Sequence, residues 1–212
     1  MKVLLIDDHP MLNAGIVSIL EQTGLFTVCG QAESLEQAMS IIEKYDALYK
    51  QNLPSLIILD MLLGEDNGLD FLPMLEKYCH NKKIEGKPVK KPPVLVCSAL
   101  GDPFKIQTAF KLGASGFLSK TSGKDELLKA IDTILCGNTY ISGELNIKLE
   151  ENASLYAKFS KRETSVINLI KLNKTNKQIA DALSINLRTV ENYISRIYFK
   201  TGLSCREEVQ KF

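Results

Sequence analysis

Three carboxylates, a hydroxyl and an ammonium recur along the first 120 residues, each directly after a short apolar run. Asp7 and Asp8 follow Val3-Leu4-Leu5-Ile6, Asp60 follows Leu56-Ile57-Ile58-Leu59, Ser98 follows Val94-Leu95-Val96-Cys97, and Lys120 comes just after Gly116-Phe117-Leu118. Runs this short and apolar read as strands covered on both faces, the condition of a parallel sheet. Ligands of an open parallel sheet collect beyond the carboxyl ends of its strands, so all five polar residues are expected at one edge. Carboxylates crowded there raise one another's pKa unless a cation binds among them. Magnesium meets that need, because it accepts two carboxylates and a carbonyl while keeping several waters. The same group suits phosphoryl transfer. A carboxylate attacks a phosphoryl group when a metal and an ammonium neutralise the transferring oxygens, and Lys120 and Ser98 are the cation and the hydroxyl to meet them. Taken singly, Asp60 could cap a helix, Ser98 could sit in a turn and Lys120 could be a surface charge. Their joint placement at four strand ends is what points to chemistry.

The elements that must position these residues alternate in type through residue 135. Strands are expected at Lys2–Ile6, Phe26–Ala32, Leu56–Leu59, Val94–Cys97 and Gly116–Leu118, and helices at Pro10–Gln22, Leu35–Tyr49, Leu69–Tyr78, Pro103–Leu112 and Lys124–Cys136. Five βα units of this kind wind into an α/β, doubly wound, five-stranded parallel sheet of flavodoxin-like form. Ser34 and Asp102 are candidate N-caps, Pro10 and Pro103 suit first turns, and Gly24 and Gly113 suit C-terminal caps. The lysine- and proline-rich segment from Cys79 to Pro93 has no apolar period and reads as a solvated surface loop.

From Ser160 onward the pattern is helical only. Ser160-Lys161-Arg162-Glu163 is a capping box that opens a helix whose apolar stripe is Val166, Ile167, Leu169, Ile170 and Leu172. Lys177–Leu183 reads as a short second helix, Ser184-Ile185-Asn186 as a tight turn and Leu187–Thr201 as a long third helix, with Ser204 opening a last one toward Phe212. Two helices joined by such a turn form a helix-turn-helix. Charge supports this division. Residues 1–150 hold 15 basic and 19 acidic side chains, whereas 151–212 hold 11 and 6, so a chain of net charge +1 hides an acidic front and a basic back. A basic helical module is suited to a polyanion. The expected domains are therefore 1–138, a linker at 139–158 where Gly, Asn and Ser accumulate, and an all-α four-helix domain at 159–212.

At 212 residues and 45% apolar content the chain is neither fibrous nor disordered, and no apolar stretch approaches the roughly 18 residues of a membrane helix. The N-terminus meets Asp7 and Asp8 without a cleavage site, and five scattered cysteines lack disulfide or zinc spacing. A cytoplasmic protein without membrane contact is expected.

On these motifs the first 138 residues resemble the receiver domain of bacterial two-component response regulators. The resemblance implies Asp60 as phospho-acceptor, with Mg2+ held by Asp8, Asp60 and the Leu62 backbone carbonyl and by Asp7 through water. It also implies Ser98 as the switch hydroxyl, Phe117 as the aromatic that follows it inward, Lys120 as the phosphate partner and Gly68 as the turn after the acceptor. Gly64 departs from the pattern, standing where the family commonly has proline. The basic domain resembles the LuxR-type helix-turn-helix of the NarL/FixJ family, on Asn176-Lys177-Gln178-Ile179-Ala180, Leu183-Ser184-Ile185, Thr189-Val190 and Thr201-Gly202-Leu203. That implies a recognition helix opening at Thr189, with Arg188, Glu191, Asn192 and Ser195 toward base edges or phosphates and Lys177, Arg196 and Lys200 toward phosphates. Glu191 and Tyr193 stand where the family usually has lysine and histidine, and a carboxylate there weakens attraction to phosphates.

The expected function is a response regulator transcription factor rather than an enzyme. A sensor histidine kinase phosphorylates Asp60, and the regulator binds double-stranded promoter DNA as a homodimer. Two rivals are weaker: a magnesium-dependent phosphatase, which lacks an acid or base other than His9 near the nucleophile, and a regulator that works without phosphorylation.

Overall fold

The computed structural model describes residues 1–48, 53–84, 87–99, 103–143, 145–146 and 158–211. Two units divide the chain, Met1–Asn146 and Ile147–Phe212.

In the first unit the apolar runs become strands β1 (Lys2–Ile6), β2 (Thr27–Ala32), β3 (Leu56–Asp60), β4 (Val94–Ser98) and β5 (Gly116–Ser119). The helices between them are α1 (Pro10–Gln22), α2 (Leu35–Leu48), α3 (Phe71–Asn81), α4 (Pro103–Lys111) and α5 (Lys124–Leu135). A two-residue strand β6 (Tyr140–Ile141) follows. All pair in parallel in the order β6-β5-β4-β3-β1-β2, so the chain reverses direction across the sheet between β1 and β3. Every residue of β3, β4 and β5 is buried, as continuous apolar runs require, while the edge strand β2 is partly exposed.

Three features differ from the sequence expectation. Tyr140–Ile141 extends the sheet beside Gly116 and Phe117, inside the stretch read as linker; two residues are too few for any periodic pattern, and only pairing with β5 defines them. Within the expected surface loop, α3 continues to Asn81, and Lys83–Ile84 pairs with Lys87–Pro88 in a hairpin. Lys82 there is not a solvated lysine: its ammonium pairs with Asp46, a fully buried carboxylate on α2 that also accepts from the Tyr78 hydroxyl at 2.6 Å. A carboxylate buried at such a point needs both partners.

Local signals place most helix ends. Ser34 accepts from the Gln37 amide, Pro10 occupies the first turn of α1, and Gly24 and Gly113 take the left-handed conformation that a side chain resists. The expected Asp102 cap and Tyr49 helix end lie outside the described residues, as does Phe212.

The second unit holds α6 (Lys161–Lys171), α7 (Asn176–Leu183), α8 (Leu187–Thr201) and α9 (Arg206–Lys211). The Ser160 capping box is closed in both directions, with the Ser160 amide donating to Glu163 at 2.7 Å and the Glu163 amide donating back at 3.3 Å. A second box, Thr175 with Gln178, opens α7, and Asn186 caps α8 by accepting from the Thr189 amide at 2.8 Å. The turn between α7 and α8 depends on Ser184, whose φ of 52° is left-handed. Val166, Ile167, Ile170, Ile179, Val190, Ile194, Ile197 and Val209 form the core. Leu172, expected in the buried stripe, is more than half exposed because α6 ends before it.

Candidate functional site

The register explains why residues far apart in sequence meet. Ile6 pairs with Leu59, so Asp7 and Asp8 leave β1 beside Asp60 at the end of β3. Asp60 pairs with Cys97, and Ser98 with Ser119, which brings the Ser98 carbonyl to accept from the Lys120 amide at 2.8 Å. All the expected strand-end residues therefore share one edge, at the reversal between β1 and β3 where α/β sheets bind ligands.

Lys120 reaches across this edge. Its Nζ lies 2.6 Å from Asp60 Oδ2 and 2.9 Å from Asp7 Oδ2, and both carboxylates are almost fully buried. Asp60 Oδ1 accepts from the Leu62 amide at 3.1 Å, Asp8 Oδ2 accepts from the Gly64 amide at 2.8 Å, and the Asp7 carbonyl accepts from the Asn13 amide nitrogen at 2.8 Å. Burial pushes the Asp60 carboxyl above the ordinary range, and the hydrogen bonds from Lys120 and Leu62 offset this only in part. Burial also works against the Lys120 ammonium, but its hydrogen bonds to Asp60 and Asp7 outweigh that and hold its pKa above the usual lysine value.

Donor atoms of Asp7, Asp8, His9 and Asp60 lie within 4.8 Å of one another, and Asp8 Oδ1 is buried without a hydrogen-bond partner. A cluster of hard oxygen donors with one uncommitted oxygen fits a divalent cation. Ser98 and Phe117 are buried, the latter completely. Gly68 is required for a steric reason: a Cβ there would lie 2.0 Å from the Asp60 carbonyl oxygen.

His9, read from the sequence as near the nucleophile, joins the cluster: its Nδ1 lies 2.8 Å from Asp8, 3.0 Å from Asp7 and 3.6 Å from Asp60. The available signal was its place directly after Asp7-Asp8 at a strand end.

On the basic unit, Lys177, Arg188, Glu191, Asn192, Ser195 and Arg196 are exposed, the last five on α8. Thr189 is half-buried, and its hydroxyl donates to Asn186 at 2.8 Å, so it serves the helix start. Lys200 is exposed yet engaged: its ammonium lies 2.7 Å from Glu163 and donates to the Lys158 carbonyl at 3.0 Å. Phe199 was missed. It is 90% exposed and, being four residues beyond Ser195 and seven beyond Asn192, continues the same face of α8.

Comparison with known proteins agrees with this architecture. Residues 3–132 match the model of the response regulator receiver domain, and residues 157–210 match that of the bacterial regulatory proteins of the luxR family. The nitrate/nitrite response regulator protein NarL of Escherichia coli K12 is 32% identical, the match covering 97% of this chain and 91% of that protein. The transcriptional regulatory protein LiaR of Bacillus subtilis 168 is 27% identical, over 98% and 93%. RcsB from Salmonella enterica serovar Typhimurium, solved bound to the rprA promoter with a phosphomimetic, shares the fold at a TM-score of 0.64 and 20% identity, covering 99% of this chain and 96% of that one. These relatives are regulators rather than enzymes, and among the described residues no helix is long and apolar enough to cross a membrane. The chain belongs to the response regulator transcription factors that join a receiver domain to a LuxR-type helix-turn-helix DNA-binding domain.

Proposed function

We propose that Asp60 is the phospho-acceptor of this cytoplasmic regulator, that a sensor histidine kinase supplies the phosphoryl group, and that phosphorylation drives homodimerisation on promoter DNA. The observation that carries this reading is the Lys120 ammonium seated between Asp60 and Asp7 at a buried strand edge. An Asp60 oxygen forms the new O–P bond as the N–P bond of the kinase's phosphohistidine breaks. Lys120 then turns from the carboxylate to the phosphoryl oxygens it is already close to, and Ser98, one strand away, supplies the hydroxyl for another. Phe117 follows Ser98, so the phosphorylated conformer repacks the β4–β5 side of the unit. Asp8, Asp60, the Leu62 carbonyl and, through water, Asp7 would hold Mg2+, which supplies neutralisation of the anionic oxygens.

On the output side, Arg188, Glu191, Asn192 and Ser195 face base edges or phosphates. Lys177 and Arg196 contact phosphates, and Thr189 sets the start of the recognition helix. Lys200 is better assigned to the domain's own scaffold, because its ammonium is bonded to Glu163. We place the start of the tether after Asn146 rather than at 139, because Tyr140–Ile141 pairs with β5 and the first unit extends to Asn146.

Intact mass after incubation with acetyl phosphate and magnesium tests the reading. One added phosphoryl group that vanishes in Asp60→Asn, with tighter DNA binding only in the phosphorylated protein, is the expected result. Equal DNA binding by both would favour the regulator that works without phosphorylation.

A further inference from the structure

His9 has no role in the proposed phosphoryl transfer, yet its ring is drawn into the carboxylate cluster. We propose that His9 is a ligand of the divalent ion through Nδ1, and that this nitrogen biases the site toward ions that accept imidazole, such as manganese, cobalt or zinc, over magnesium. The proposal rests on the reading that Asp8 and Asp60 hold a divalent ion.

Backbone geometry fixes the ring. His9 leaves β1 in an extended conformation, φ −100° and ψ 97°, its amide donates to Asp7 Oδ1 at 2.8 Å, and Pro10 begins α1 directly after it. His9 caps no helix amide with its side chain, so helix capping does not account for the ring's position. The ring turns Nδ1 inward while more than half of the side chain stays exposed.

The distances suit a shared ion. Donors about 2.1 Å from an octahedral ion stand about 3.0 Å apart at neighbouring vertices. Nδ1 lies 2.8 Å from Asp8 Oδ1 and 3.6 Å from Asp60 Oδ2, the two carboxylates proposed to hold the ion directly, so it stands where a neighbouring donor would. The oxygen it approaches most closely, Asp8 Oδ1, is buried with no hydrogen-bond partner. A ring nitrogen and a carboxylate oxygen this close are placed to share a cation. With the ring proton on Nε2, the Nδ1 lone pair is free to bind, while the imidazole–Asp7 contact belongs to the other tautomer. Lys120 pairs with Asp60 and Asp7 rather than with Asp8.

An all-oxygen site with several waters suits magnesium, and exchanging one water for imidazole raises affinity for later first-row ions. The test is calorimetric titration of the full-length protein with Mg2+ and with Co2+, comparing wild type, His9→Phe and Asp8→Asn. The phenyl ring keeps the shape and removes the donor. The expected result is a roughly tenfold loss of Co2+ affinity in His9→Phe with Mg2+ affinity held within about twofold, together with loss of nitrogen coupling in the pulsed spectrum of bound Mn2+. Equal changes for both ions, or none, would overturn the His9 assignment while leaving the metal site in place. If the wild type binds neither ion, or Asp8→Asn binds both as the wild type does, the metal reading itself fails and the His9 assignment with it.

Discussion

Gly68→Ala tests whether the acceptor loop is held as tightly as the structure implies. A Cβ at position 68 would stand 2.0 Å from the Asp60 carbonyl oxygen and 3.1 Å from the carbonyl carbons of Asp60 and Met61, where ordinary contact begins at 3.4 Å. The shortfall is about 1.4 Å against backbone, which no side-chain rotation can relieve. The Gly68 amide also donates to the Met61 carbonyl at 2.8 Å, and Gly68, Met61 and Asp60 are all buried, so any shift is transmitted to the acceptor. Overpacking of this kind costs about 1–3 kcal/mol. For a unit of this size that lowers Tm by roughly 3–10 °C. The larger effect falls on chemistry, because displacing a reacting group by about 1 Å costs on the order of 100-fold in rate. Scanning calorimetry gives the first quantity, and the time course of phosphoryl incorporation from acetyl phosphate, read by intact mass, gives the second. A Gly68→Ala protein with wild-type Tm and wild-type incorporation would refute the argument, since the loop would then have to accommodate a methyl group where the backbone leaves none.

The raised pKa of Asp60 has a sign that can be checked. The folded state holds this proton more tightly than the unfolded chain, so ionising Asp60 destabilises the fold, and the penalty grows as pH rises from the ordinary carboxylate value through the folded one. Asp60→Asn should melt above wild type in metal-free buffer at pH 8, with the gap closing below about pH 4, where the unfolded carboxyl is protonated too; a gap independent of pH would contradict this. In the basic unit, Glu163 is buried against Lys200 and the Ser160 amide, and despite its burial those hydrogen bonds hold its carboxyl below the ordinary value. Its contribution is therefore complete above the ordinary carboxylate pKa and disappears as pH falls through the folded one. Lys200→Ala should cost about 1 kcal/mol, because the lysine is exposed and the Ser160 amide still bonds Glu163, measured by urea unfolding of the full chain through its helical signal. Glu191→Lys should strengthen binding to random duplex DNA and steepen its salt dependence by about one unit of slope; an unchanged slope would mean that residue 191 does not face phosphate.

Much of this protein was legible from the order of its residues. Continuous apolar runs and helical periodicity are local properties, so the five strands β1 to β5, the helices between them and the Ser160 capping box could be read directly. The strand-end rule then gathered Asp7, Asp8, Asp60, Ser98 and Lys120 before any geometry was known, because a parallel sheet places those ends at one edge whatever the loops do. Charge division and the turn at Ser184 marked the second unit in the same way. Tertiary structure decided what depends on contacts between distant segments. Tyr140–Ile141 is a strand only because Gly116 and Phe117 offer an open edge, and Lys82 is a structural partner only because Asp46 is buried 36 residues earlier. Lys200 looks like a phosphate contact until Glu163 is found beside it, and the inward turn of His9 follows from Asp7, Asp8 and Asp60 arriving from two strands. A side chain's type is written in the chain, but its partner is set by which surfaces the fold brings within a few ångströms. Hydrogen bonds form only at that range, and ion pairs are strongest there.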